Sequence, residues 1–383
     1  MEPNSRYDAA IVGGGLAGLA AAIRLRAEGH SVLLLEKESY PYHKVCGEYI
    51  SLESWSFLES LGVPLKEMNL PIIDTLLLTA PDGNTFTTRL PLGGFGISRY
   101  RLDALLAESA RKAGVHVLEE AKVESIRSDQ EFHIDFRSRA TTTTSVQARI
   151  CCAAYGKRSN LDVSWKRKFL QTQDRRLDNY IGIKYHVRTS WPENLIGLHN
   201  FEDGYCGISK IEGDEYCLCY MTRAASLKRN GNSIPALEKN VLHRNPALKN
   251  IFESSDIISG FPITISQINF SPKTRVEDHV LMLGDAAGMI TPLCGNGMSI
   301  ALHTGKIAAG LCGRFLRGQI TQAELERQYD GDWQRRFAGR LRTGRWLQRF
   351  FGSSRLSNLF VNTFRRLPFL ARPLVKMTHG EPF

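Results

Sequence analysis

The sequence predicts a mixed α/β fold, with a parallel sheet built in three visits of the chain, an inserted and mostly antiparallel sheet, and a helical C-terminal region. Three observations carry this. An apolar strand near the N-terminus runs into three spaced glycines and an Ala/Leu-rich helix that leads to a second apolar strand. Strand signals dominate from Tyr180 to Phe270. A buried strand then returns at His279 to Leu283, followed by a glycine-rich turn and a long apolar helix. At 383 residues the chain exceeds one ordinary core, so two intimately connected domains are expected.

The first strand, Tyr7 to Val12, meets Gly13, Gly15 and Gly18. Gly13 permits the tight turn, Gly15 lets the backbone approach a pyrophosphate, and Gly18 lets the helix lie close to the sheet. Phosphates would sit on the helix N-terminus, where unpaired N–H groups and the positive dipole end converge. The helix runs to about Gly29, and the strand Ser31 to Leu35 ends on Glu36, near the roughly 20-residue offset of an acid that binds a ribose hydroxyl. This is a Rossmann-like dinucleotide site.

After Glu36 a polar loop carries Lys44-Val45-Cys46-Gly47-Glu48 at the carboxyl end of the second strand, where ligands of open α/β sheets bind. Residues 1–70 are assigned to the nucleotide domain. A hairpin in 71–97, turned by Pro81 to Asn84, begins the second domain. Segment 98–165 returns to the first domain: Arg99 to Asp103 opens a helix stopped by Gly114, Val115 to Leu118 is a strand, and three period-two runs from Val123 to Ile150 form a meander. Segment 166–272 is the inserted sheet, expected to face the cofactor as a substrate platform. Segment 273–320 completes the first domain. There the carboxylate of Asp285 can accept from a ribityl hydroxyl, and the backbone from Gly295 to Met298 can approach a flat ring and aim a helix N-terminus at it. Segment 321–383 is a basic helical region.

The net charge of +10 is concentrated there. From Trp333 to Gly380 there are eleven Arg or Lys and no acid, with aromatics interleaved. Helical spacing favours helices packed on the body with arginines in water. As partners for residues 333–380, an anionic membrane surface or acidic carrier protein ranks next and nucleic acid last. The eight cysteines show no paired CxxC spacing, and Cys217 and Cys219 are placed on one face of a strand, so most read as reduced thiols. The ten histidines form no ligand spacing, and no metal is expected. The uncharged run Ala286 to Gly305 reads as a buried loop and helix rather than a membrane span. The N-terminus lacks signal-peptide features, so a cytoplasmic protein is expected, with room for peripheral membrane contact.

With these residues in view, the chain resembles the FAD-dependent oxidoreductases of the glutathione-reductase type, in the branch shared by geranylgeranyl reductases, aromatic hydroxylases and flavin halogenases. Gly13, Gly15, Gly18 and Glu36 match the FAD fingerprint, Arg99 matches its flavin-contacting arginine, and Gly284-Asp285 with Pro292, Gly295, Gly297 and Met298 matches the second FAD motif. The resemblance implies FAD held by these residues together with Leu16, Ala17, Lys37, Lys44, Cys46, Gly47, Val123 and Asn296, with NAD(P)H as donor. Lys44-x-Cys46-Gly47-Glu48 is most similar to the geranylgeranyl reductases, whose cysteine here is implicated in catalysis. Cys46 is thus the candidate acid or a wall beside the ring, Tyr205 a second catalytic candidate or strand packing, and Glu48 a partner of the site residues or, foremost, a solvated loop carboxylate. Gly204 to Lys210 keeps the reductases' Gly-Tyr and loses their large residues. Tyr155-Gly156 stands where hydroxylases have Asp-Gly, and the halogenases' Trp-x-Trp-x-Ile-Pro has no counterpart.

The function expected is an FAD-dependent oxidoreductase that passes reducing equivalents to an apolar or conjugated substrate (a lipid, isoprenoid or polyketide-like molecule), by reduction of a carbon–carbon double bond. A monooxygenase hydroxylating a small aromatic or polyketide-like ring is the runner-up. A non-catalytic prenyl- or lipid-binding protein on the same fold comes third.

Overall fold

The computed structural model describes residues 5–138, 143–171, 179–258, 260–291, 295–348, 351–370 and 380–383. Its first half contains β1 (Arg6–Val12), β2 (Val32–Leu35), β3 (Tyr49–Ser51), β4 (Ile72–Thr79), β5 (Thr85–Gly96), β6 (His116–Leu118), β7 (Lys122–Ser128), β8 (Phe132–Arg137) and β9 (Thr144–Ala153). The second half adds β10 (Tyr180–Arg188), β11 (Leu195–Phe201), β12 (Gly204–Lys210), β13 (Tyr216–Arg223), β14 (Asp256–Ile257), β15 (Ile263–Ile268), β16 (Val276–Glu277) and β17 (Val280–Met282).

The first sheet runs β17-β9-β1-β2-β6 with parallel pairing, and β16 closes one edge antiparallel. Ala9 to Val12 and Val32 to Leu35 are buried residue after residue, as strands covered by helices on both faces must be. Register places Val12 opposite Leu35 on one side and Ala153 on the other, with Met282 also opposite Ala153. Four strands therefore end on a common rim, where the Gly13 N–H donates to the Leu35 carbonyl (2.8 Å) and the Ala154 N–H to the Val12 carbonyl (2.7 Å). The helix Leu16–Ala27 packs against both Arg99–Ala113 and Gly297–Leu316. The expected meander is present as β7 and β8, antiparallel onto β9. Gly114 ends its helix in the left-handed region (φ 89°), as its stop position requires.

The second sheet has the order β14-β10-β13-β12-β11-β4-β5-β3, with β15 also on β10. Every pairing is antiparallel except β11 with β4. The chain enters this sheet earlier than 71. Tyr49 to Ser51 pairs with Gly94 to Gly96, so part of segment 1–70 belongs with the hairpin; three residues are too few to show a period. Alternation divides the sheet's faces. Ile183, Tyr185, Cys206, Ile208 and Tyr220 share a core with the helices Ile234–Asn240 and Pro246–Glu253. The other face is polar at one end, with Lys184, His186, Ser209 and Cys217, and apolar at the other, where Tyr180, Leu198, Tyr205 and Met221 lie in a core with the helix Ser354–Arg366.

The basic region is helical, as expected: Gln322–Trp333, Gly339–Leu347 and Ser354–Arg366. Tyr329, Trp333, Phe337 and Leu341 are buried, and Arg335 and Arg342 point to water. Among the described residues no helix is long and apolar enough to cross a membrane.

Candidate functional site

The rim turn is built by two close contacts. A Cβ on Gly13 (φ 107°) would stand 2.5 Å from the Ala154 carbonyl oxygen, and one on Gly18 would stand 2.0 Å from the Gly13 carbonyl oxygen. Only glycine permits either approach. Glu36 is buried, with Oε2 accepting the Gly14 N–H (2.7 Å) and Oε1 the Glu38 N–H (3.0 Å). A carboxylate offers about four acceptor positions, so a sugar hydroxyl can still be accepted. At Gly15 the space is open. The nearest atoms to a Cβ there are Arg99 Nη2 at 3.8 Å and Lys44 Nζ at 3.9 Å. Leu16 and Ala17 are buried in the first turn, whose N–H groups have no intrahelical acceptor and point at the same space.

Those two cations are fixed by one anion. Asp103 is fully buried and accepts from Arg99 Nε and Nη2 (both 2.7 Å) and from Lys44 Nζ (2.8 Å). Burial pushes its carboxyl up, but Arg99 and Lys44 outweigh that and hold it below the usual carboxylate range. The group carries a net positive charge against a helix N-terminus, which suits a bound pyrophosphate.

The second half of the rim follows β17. Gly284 (φ 58°) donates its N–H to Thr304 Oγ1 (2.9 Å), and half-buried Asp285 follows it. A Cβ on Gly305 would lie 2.5 Å from the Ala17 carbonyl oxygen, so the helices that begin at Leu16 and Gly297 are in direct contact. Asn296 and Met298 are buried around the start of the second, and Gly295 (φ 64°) lies over the Tyr49 ring, 3.0 Å from a Cβ position. Pro292 lies outside the described residues. Lys273 supports the turn from below, donating to the carbonyls of Asp285 (2.9 Å) and Lys157 (3.1 Å); burial pulls its pKa down to about 8. Tyr155 donates to Asp162 (2.6 Å) and accepts from buried Arg167 (3.0 Å), which also binds the Ala286 carbonyl (3.0 Å). Tyr155 is thus part of the framework behind the rim.

Between the rim and the second sheet runs a strap, residues 44–48. Each of four consecutive carbonyls accepts a side chain from far along the chain. Lys184 Nζ binds that of Lys44 (3.2 Å), Lys157 Nζ that of Val45 (3.1 Å), Cys217 Sγ that of Cys46 (3.2 Å) and Ser209 Oγ that of Gly47 (3.3 Å). Burial pushes the Cys217 thiol up and keeps it a protonated donor. Glu48 corrects its assignment as a solvated carboxylate. It is fully buried at φ 55°, pairs with Lys184, lies 2.7 Å from His186 Nε2, and accepts the Arg99 N–H (2.7 Å). Burial raises its carboxyl, but His186 and Lys184 prevail and hold it below the ordinary value. Glu48 was singled out from the sequence but with the wrong surroundings, and Lys184, His186 and Ser209 were assigned no role there. The available signal was the pair Lys184 and His186, two polar residues at period two inside an apolar strand.

Cys46 is half-buried in the strap, within electrostatic range of Arg99, Lys184, Cys217 and Cys219. Tyr205 is not brought to it. Tyr205 is four residues from Ser209 along β12, about 13 Å at the usual rise, and its ring meets Phe351 edge-on at 6.2 Å inside an apolar core. Large apolar residues from the C-terminal region claim that end of the face. Lys37 is exposed and pairs with Glu38 at 3.6 Å, and Val123 buries its side chain in the first core, leaving only backbone to offer.

A family model described as an FAD binding domain matches residues 6–335. Digeranylgeranylglycerophospholipid reductase of Methanococcus vannielii is 25% identical over 344 residues, 85% of this chain and 82% of that protein. Among solved structures, the flavin-dependent brominase Bmp2 superposes with a TM-score of 0.77 at 19% identity, covering 97% of this chain and 93% of that one. A geranylgeranyl bacteriochlorophyll reductase-like protein of Thermoplasma acidophilum gives 0.73 at 17%, covering 94% and 91%. At these identities the structures establish a shared fold.

Proposed function

The chain belongs to the FAD binding domain family and is an FAD-dependent oxidoreductase, and from that premise we propose that it reduces a carbon–carbon double bond in an apolar or conjugated substrate, with NAD(P)H as electron donor. The observation that carries the reading is the strap. A thiol is held between the cation pair at Gly15 and the polar end of the inserted sheet, on a backbone anchored at every carbonyl from Lys44 to Gly47. Bound FAD supplies hydride transfer.

This chain supplies placement and the proton. Reduction breaks the π bond, and the two electrons arrive with the hydride on one carbon. The other carbon takes a proton from Cys46 Sγ. Arg99 and Lys184 lie within electrostatic range of the sulfur. A solvent proton then restores the thiol. Leu16, Ala17 and the cations Arg99 and Lys44 fixed by Asp103 would hold the phosphates of bound FAD, Asp285 would accept from its ribityl chain, and the turn from Gly295 to Met298 would meet the ring end. The name of the Methanococcus relative, a reductase of a geranylgeranyl-bearing lipid, supports an isoprenoid-type substrate.

The test is single turnover with reduced flavin and an unsaturated isoprenoid lipid without oxygen. A product heavier by two hydrogens is expected. An oxygenated product formed only in air gives the reaction to a monooxygenase. Tight lipid binding without reoxidation of the flavin leaves a binding protein, and either result overturns the proposal.

A further inference from the structure

The helix Ser354–Arg366 has its inner face committed. Ser357, Val361 and Phe364 are buried, and the Phe364 ring packs 5.7 Å from Phe86. Its outer face does nothing for that core. Arg355, Leu359 and Arg366 fall within about 40° of one another around the helix axis, and all three are exposed. Leu359 is 63% accessible, Leu356 flanks it, and Leu367 and Phe369 follow, the last at 66%. The preceding helix exposes Arg342 and Trp346 one turn apart. Single exposed leucines are ordinary, but this density within one short stretch is not. Within the stretch the charge has one sign, with no Asp or Glu from Trp333 to Gly380, while Glu202 from the inserted sheet accepts the Ser354 N–H at the start of the helix (3.1 Å).

We propose that this outer face docks on an anionic lipid bilayer, with Arg355 and Arg366 at the headgroups and Leu359 and Phe369 entering the interfacial layer. A bilayer accepts protruding apolar side chains wherever they fall, whereas a protein partner must present a matching pocket for each. Cations give attraction to anionic headgroups, and the apolar side chains add area removed from water; together they supply the two signals that peripheral anchoring needs. The docking is independent of which reaction the flavin site performs.

The test is co-sedimentation of the flavin-loaded protein with vesicles of phosphatidylcholine alone or with about one-third phosphatidylglycerol. Wild type is expected to pellet with the anionic vesicles only, and to be released when salt rises to about 0.5 M. Arg355→Gln with Arg366→Gln should weaken partitioning about 25-fold, from roughly fivefold per cation. Leu359→Ser with Phe369→Ser should also weaken it severalfold on the same vesicles, by loss of buried apolar area. Flavin content and melting temperature confirm that each variant is folded. No retention on anionic vesicles, or equal retention on both compositions, overturns the proposal without recourse to any variant. If the arginine pair matters and the apolar pair does not, the surface is a general polyanion site suited to an acidic protein or nucleic acid, and the proposal fails.

Discussion

The Glu48 carboxylate accepts the backbone N–H of Arg99 at 2.7 Å, and so joins the end of the strap to the first turn of the helix that carries the guanidinium beside Gly15. Its other ties run to Lys184 and His186 in the inserted sheet. One buried anion thereby ties the Arg99 helix and the inserted sheet to the same point.

Glu48→Ala should therefore cost about 3–5 kcal/mol, the usual loss when one partner of a buried ion pair is removed and the other stays. Urea denaturation measures it. The same variant should hold flavin more weakly, and a stability within experimental error of wild type would contradict the network described.

Acid should unfold the protein through the same groups. Glu48 and Asp103 both have carboxyls held below their ordinary values, so the folded state binds fewer protons than the unfolded chain. Their contribution is complete above the unfolded value of about 4 and is lost as pH falls through the lower folded values. Glu48→Gln should flatten that acid limb in a series of thermal melts. An unchanged slope would show that Glu48 is not held low.

Lys273 acts at the alkaline end of the scale, with the same sign. Its folded pKa of about 8 lies below the ordinary 10.5, so between those values its own contribution to stability rises with pH, against the falling contribution of the buried thiols Cys217 and Cys219, which burial pushes up. Lys273→Met should abolish that rise. Melts from pH 7 to 10.5 compare the two, and a rise retained in the variant would assign it elsewhere.

Two glycines separate binding from folding. Gly15→Val places a side chain in open space between Arg99 and Lys44, so flavin affinity should fall at least about tenfold while the melting temperature of the flavin-free protein holds. Gly18→Val drives a Cβ against the Gly13 carbonyl and should destabilise the fold itself. Flavin absorbance and calorimetry distinguish the two, and the reverse pattern would show that the turn is misread.

Cys46→Ala should leave flavin content and reduction by NAD(P)H near wild type while slowing reoxidation by substrate at least about 100-fold, the low end of what a positioned acid contributes. Tyr205→Phe should be nearly neutral in both half-reactions, because the tyrosine is buried under the C-terminal helices. Rapid mixing resolves the half-reactions, and a larger effect at Tyr205 than at Cys46 would reverse the roles.

The contrast between these last two residues shows where sequence reading ended. The glycine turn, Glu36, the Gly114 stop and the strand from Tyr180 were legible because each is dictated within a few residues by backbone freedom or by a period. Tyr205 was not, since its surroundings are decided by Phe351, some 146 positions on, and nothing local marks that end of the platform as occupied. Glu48 looked like loop charge because its partners arrive from β10, and β3 was too short to declare itself.

The four carbonyl ties of the strap span 112, 140, 162 and 171 residues of sequence. None can form by local collapse, since each closes a loop longer than many whole domains. The glycine turn and its first two strands can assemble early from near neighbours, but residues 44–48 must wait until β10, β12 and β13 have paired. The thiol is therefore among the last groups to reach its place during folding, and a chain whose inserted sheet is not yet complete can present a formed glycine turn without a formed strap.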